Sequence, residues 1–266
     1  MKNNQYELWG NSQSKIADAR RKFGLSLNKA FNKYLIPVLE EQKEELSIAY
    51  MNRILNREGP TKTKNTSTPE TKLLAEVSIG AFEIFTAYES LLDSEVYVRR
   101  FPYRGTRISK SRHLKSVLEN HLNNIYILKE RMVKYLKILT KKYGRRVTSK
   151  GKPAVRITEV MRRFTEEYLD PLKAVRNSHM HNEEFYDSDL ERLSILENYI
   201  QSNPTVPRIE YFKTYYDHQF EIIRKNKVKQ IQAINADINK LLDIYFNHIH
   251  TIVFDEDDEL IIHTLE

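Results

Sequence analysis

The most regular pattern in the chain is a stripe at Leu114, Leu118, His121, Ile125, Leu128, Met132, Tyr135 and Leu139, in alternating steps of four and three residues. That spacing keeps one face turned toward a partner and predicts a helix of roughly 30 residues, about 45 Å long. A second stripe, Leu73, Val77, Ala81, Ile84, Tyr88 and Leu91, predicts another helix. Its start is marked by Thr68-Pro69-Glu70: a capping hydroxyl, a proline suited to the first helical position, and an acid for the positive end of the dipole. Upstream, residues 15–31 read as a helix and residues 38–55 as a second one after a break at Pro37. Residues 56–68 are polar without apolar periodicity and read as a linker.

Downstream, Phe101-Pro102-Tyr103-Arg104-Gly105 breaks the pattern, and residues 141–156 form a basic, glycine-containing connection. Thr158 is expected to open the next helix, with a kink or restart at Asp170-Pro171. Ser188 and Glu191 make a capping-box pattern for a helix that ends near Asn203-Pro204. A last long helix is expected over residues 208–246. Residues 255–259 form an acidic tail, and Leu260-Ile261-Ile262 either pairs as a short strand or lies on the bundle. The chain shows no internal repeat.

These elements predict an all-α fold, a bundle of long antiparallel helices. Composition agrees: 7 glycines and 8 prolines in 266 residues leave few tight turns for a sandwich or barrel. The expected division is an N-terminal helical region over residues 1–60 and a helical domain over 61–266 that carries the acidic tail. There is no cysteine, which removes disulfides, thiolate nucleophiles and cysteine metal sites together. No apolar run reaches the roughly 18 residues of a membrane span, and the first ten residues lack a secretory apolar core. The expectation is a cytoplasmic protein without a membrane partner. The net charge of +7 suits a polyanion partner.

The densest chemistry lies at Arg176-Asn177-Ser178-His179-Met180-His181, where two of the eight histidines stand beside an arginine and an asparagine. On a helix Arg176 shares a face with His179 and Met180, while His181 lies about 140° away. Arg176 and His181 therefore reach one phosphate only if the helix ends here, if the substrate lies across the helix, or if two copies meet. The set needs no metal or other cofactor. A guanidinium binds phosphate in two-point fashion and stabilises charge gathering on it. An imidazole moves protons near neutral pH, and Asn177 can orient a water or a phosphate oxygen. RNA brings its own nucleophile, the ribose 2′-hydroxyl. Two plainer readings stand beside this: a histidine metal pair completed by Glu183 or Glu184, and a surface turn with incidental histidines. His121, on the long stripe, reads as a hydrogen-bonded core histidine rather than a ligand.

Arg176 and His181 with four residues between them, and a polar Asn177 directly after the arginine, resemble the Arg-x4-6-His motif of the HEPN superfamily (higher eukaryote and prokaryote nucleotide-binding domains). Helices expected before and after the motif extend the resemblance over residues 68–246. It implies a HEPN-like bundle that forms a homodimer, with two motifs facing one cleft. It further implies a metal-independent endoribonuclease, often a toxin or antiphage-defence effector held by an antitoxin or regulatory partner. Arg176 and His181 would be the catalytic pair and Asn177 the polar helper. His179, outside the motif, would support the site or replace His181 as the working histidine. Some members are catalytically silent and bind RNA or a nucleotide, which is the alternative reading here.

Two basic segments are candidates for holding the RNA. One contains Arg99, Arg100, Arg104 and Arg107 with Phe101 and Tyr103 between them; the other contains Arg145, Arg146, Lys150 and Lys152. Basic residues with aromatics suit single strands, because rings stack on bases while charge follows the backbone. For Tyr211, Phe212, Tyr215 and Tyr216, core or dimer packing is expected ahead of base stacking.

Overall fold

The computed structural model describes residues 18–55, 68–100, 108–148, 151–181 and 187–262, with the backbone alone at positions 45, 49, 53 and 171–181. The fold is all-α. Its helices are α1 (Asp18–Ala30), α2 (Ile36–Glu41), α3 (Lys43–Ile54), α4 (Pro69–Arg99), α5 (Lys110–Tyr143), α6 (Ala154–His181), α7 (Ser188–Ser202) and α8 (Ile209–Val253). Among the described residues no strand forms. Two isolated antiparallel bridges, Val147 with Pro153 and Phe254 with Leu260, close turns.

The long helices are antiparallel neighbours. α4 pairs with α5 through Glu76–Lys142 and Glu83–Lys134, and with α8 through Tyr88–Asn239 and Glu95–Gln232. The α5 stripe is buried along its whole length, from Leu114 (1% exposed) to Leu139 (0%). Burying one face of a helix fixes the period of its apolar residues, which is why this element is so plain in the sequence.

The chain separates into two compact units, and α4, α5, α6 and α8 each run through both. The first comprises Met1–Phe82, Tyr135–Met161 and Leu242–Glu266. Here Phe23 of α1 packs against Phe246 and Phe254, with ring centroids 5.1 and 5.4 Å away. Tyr135, Tyr143 and Tyr245 are fully buried in the same unit. A Cβ built on Gly80 would fall 2.2 Å from Cδ2 of Tyr135, so the α4 backbone and that ring approach as closely as only glycine allows. The acidic tail has a structural partner. Asp258 pairs with Lys22, and Glu259 with both Lys29 and Lys33, so the tail lies against α1. Leu260 is buried at 4% and closes the bridge to Phe254, so the terminal apolar residues both pair and pack.

The second unit comprises Glu83–Lys134 and Arg162–Leu241. Its core joins Val98 of α4, Leu114, Val117 and Leu118 of α5, Leu190 and Leu193 of α7, and Tyr216, Phe220, Val228 and Ile231 of α8. The carboxylate of Glu197, 8% exposed, receives the Lys110 and Ser111 amides at 3.0 and 3.3 Å and the Ser111 hydroxyl. A carboxylate there satisfies amides that the first turn of α5 leaves open and complements its dipole.

Several boundaries differ from the expectations. The break at Pro37 is a π-helical turn, Phe31–Leu35, leading directly into α2. The widened turn makes room just before a residue that cannot donate a backbone hydrogen bond. α6 opens at Ala154, not Thr158. Thr158 is buried at 2%, donates to the Val155 carbonyl and accepts from the Thr140 hydroxyl, and so is interior. α6 continues through Pro171 without restarting; before the proline it is held by buried residues such as Met161, Thr165 and Leu169, so the hydrogen bond that proline removes, roughly 3 kcal/mol, does not end it. The cap of α7 is Asp187 rather than Ser188: its Oδ1 accepts from the Asp189 and Leu190 amides, both at 3.1 Å. α8 runs to Val253, beyond residue 246. Among the described residues no helix is long and apolar enough to cross a membrane.

Candidate functional site

Arg176, Asn177, His179 and His181 all lie on α6 (Ala154–His181). Their side chains lie outside the described residues. Helical geometry puts Arg176 and His181 about 140° apart around the axis and about 7.5 Å apart along it.

The segment that carries the motif is anchored at each end by a buried lysine. Before it, Lys129 of α5 reaches Asp170 at 2.5 Å, the two side chains being 6% and 53% exposed. After it, Lys227 of α8 reaches Asp187 at 2.5 Å, with exposures of 9% and 17%. Asp187 therefore does two jobs, capping α7 with one oxygen and holding Lys227 with the other. A buried lysine deprived of its carboxylate is left with an unpaired charge, so each lysine ties its end of the segment to the unit's core. Sequence reasoning passed over both lysines. Lys129 does stand beside the long stripe, where a lysine can bury its stem while its ammonium seeks a partner.

His121 lies in the same unit at 2% exposure, and neither ring nitrogen has a hydrogen-bond partner among the described residues. The expected burial is present; among the described residues the expected hydrogen bonds are not. Burial pulls its pKa from 6.5 down to about 4, so the ring is neutral near pH 7. Eight residues along α5 from Lys129, and eight along the antiparallel α6 from Asp170, His121 stands level with position 178.

The basic segments divide by role. Arg99 is exposed, and its guanidinium holds Glu95 at 2.6 Å. Arg100 is exposed as well, and its carbonyl accepts from His113 Nε2 at 3.2 Å, which helps close α4. Arg145 and Lys152 are exposed. Arg146 instead turns inward and donates to the Ile252 carbonyl at 2.7 Å, where burial lowers its pKa. It serves the C-terminal end of α8, where open carbonyls favour a cation. Arg104, Arg107 and Lys150 lie outside the described residues. The four aromatics also split: Tyr216 is buried at 6%, whereas Tyr211 and Tyr215 are 68% and 48% exposed. Among the described residues no group of three or more His, Asp or Glu side chains is placed to hold a metal ion.

No protein-family model, no curated protein and no solved structure matches the chain.

Proposed function

We propose that the protein is a metal-independent endoribonuclease of HEPN type. The observation that carries the reading is the position of Arg176-Asn177 and His181 together on α6, within an all-α bundle of long antiparallel helices. In the proposed reaction Arg176 holds the scissile phosphate and stabilises the charge that gathers on it. The neighbouring ribose 2′-hydroxyl loses its proton to a base and attacks phosphorus. The bond to the 5′-oxygen breaks, and that oxygen takes a proton from an acid. His181 supplies one of these proton transfers, with Asn177 and His179 orienting the phosphate and the ring. The products are a 2′,3′-cyclic phosphate and a 5′-hydroxyl. Because the pair diverges by about 140° on one helix, the complete site is proposed to form between two copies of the chain, as a homodimer. A toxin or antiphage-defence role, restrained by an antitoxin or a regulatory partner, is the biological setting that goes with this chemistry.

The test is incubation of the full chain with single-stranded RNA in excess chelator. Cleavage is expected, with a loss of 10²-fold or more in Arg176→Ala and in His181→Ala. RNA that stays intact yet is retained by the protein would favour the alternative, a catalytically silent binding module.

A further inference from the structure

The outward face of α8 in the second unit carries side chains that a solvated helix surface does not need. Tyr211, Tyr215, His218, Ile222, Lys225 and Lys229 fall within a sector of about 80°, opposite the buried Tyr216, Phe220 and Ile231. All six are exposed. The two tyrosines stand one helical turn apart, about 6 Å along the axis. Tyr211 is braced despite its 68% exposure: its ring meets Phe212 edge-on at 5.9 Å, and Phe212 meets Tyr199 at 5.4 Å. A held, exposed ring offers its face without a large ordering entropy. The lysines continue the line beyond the rings, and neither joins an ion pair among the described residues. The stripe has no carboxylate. Those flanking it are neutralised, Glu210 by Lys213, Asp217 by Lys110 and Glu221 by Arg224.

We propose that this face is a platform for single-stranded nucleic acid, with bases stacked on Tyr211 and Tyr215 and the phosphate backbone running on toward Lys225 and Lys229. The occupant follows from charge and shape together. A carboxylate-free line of rings and ammonium groups, on a chain of net charge +7, complements a polyanion with exposed π faces. The face measures about 27 Å from Tyr211 to Lys229 at 1.5 Å per residue, room for a short run of nucleotides. The proposal extends the ribonuclease reading to how substrate is held, but it does not depend on cleavage.

The test uses the full chain and a fluorescent twelve-residue oligothymidylate, which has no 2′-hydroxyl and so escapes the proposed cleavage. Binding is read by anisotropy at several salt concentrations, and association state by sedimentation. Tyr211→Ala with Tyr215→Ala should weaken binding on the order of tenfold or more per ring, whereas Tyr211→Phe with Tyr215→Phe should keep it. Lys225→Gln with Lys229→Gln should flatten the salt dependence by about 1.4 in log–log slope. Circular dichroism melting controls for folding, which these exposed positions should leave unchanged. Absence of binding, binding indifferent to the tyrosine pair, or a dimer that the alanine pair dissociates would overturn the proposal; the last would make the face a self-association surface. A chain that binds oligothymidylate through this face yet cleaves no RNA would sink the nuclease reading alone.

Discussion

Replacing His121 by leucine should stabilise the protein, and increasingly so as the pH falls. The site is an apolar stripe in which every neighbour along α5, from Leu114 to Leu139, is buried. Two ring nitrogens with no partner among the described residues are desolvated there without return. A buried unsatisfied polar group costs about 1–3 kcal/mol, and leucine of similar size carries none. The pH dependence follows from the depressed pKa, about 4 in the fold against 6.5 as reference. The unfolded chain takes up the proton first, so the neutral ring's contribution is complete above pH 6.5 and is lost as the pH falls toward 4. The full gap corresponds to about 3 kcal/mol. In urea titrations at pH 7 the variant should be more stable by about 1–3 kcal/mol. Between pH 6.5 and 4 its advantage should widen by up to that further 3 kcal/mol. A variant less stable than the parent at pH 7, or an advantage that does not change with pH, would show that His121 is hydrogen-bonded and would refute the reasoning.

Other substitutions separate the roles assigned above. Asp187→Ala removes both the α7 cap and the partner of buried Lys227 and should destabilise by about 3–5 kcal/mol in denaturant melts; Asp187→Asn keeps a cap acceptor and should lose less. Gly80→Ala puts a methyl into the Tyr135 ring, and calorimetry should show a net loss of about 1–3 kcal/mol despite alanine's better helix propensity. Arg145→Gln should weaken RNA binding with an unchanged melting temperature. Arg146→Gln, which frees the Ile252 carbonyl, should lower the melting temperature.

Much of the fold was legible because burial imposes a period. The α5 stripe and the Thr68-Pro69 start of α4 are local patterns, and the structure keeps both: the Thr68 hydroxyl accepts from the Thr71 amide at 3.3 Å. The misplaced boundaries depend on partners distant in sequence. Asp187 takes the cap from adjacent Ser188 because its second oxygen also holds Lys227, 40 positions on. Thr158 looks like a helix start until Thr140 is seen beside it, and the π turn before Pro37 leaves no periodic trace. For the candidate site, the sequence pointed to a helix, and α6 carries positions 176–181. It did not mark the two lysine anchors, since a lysine is read as solvated unless the aspartate it meets is known. Nor did it separate Arg146, turned to the α8 carbonyl, from Arg145, which is exposed.

The ribonuclease proposal is tested most directly by the chemistry of the cut ends. RNA digested by the purified full chain in chelator, analysed by mass spectrometry, should yield fragments ending in 2′,3′-cyclic phosphate and beginning with 5′-hydroxyl, and these should vanish in Arg176→Ala. Fragments bearing 5′-phosphate, cleavage that requires added metal, or unchanged products from Arg176→Ala would contradict it.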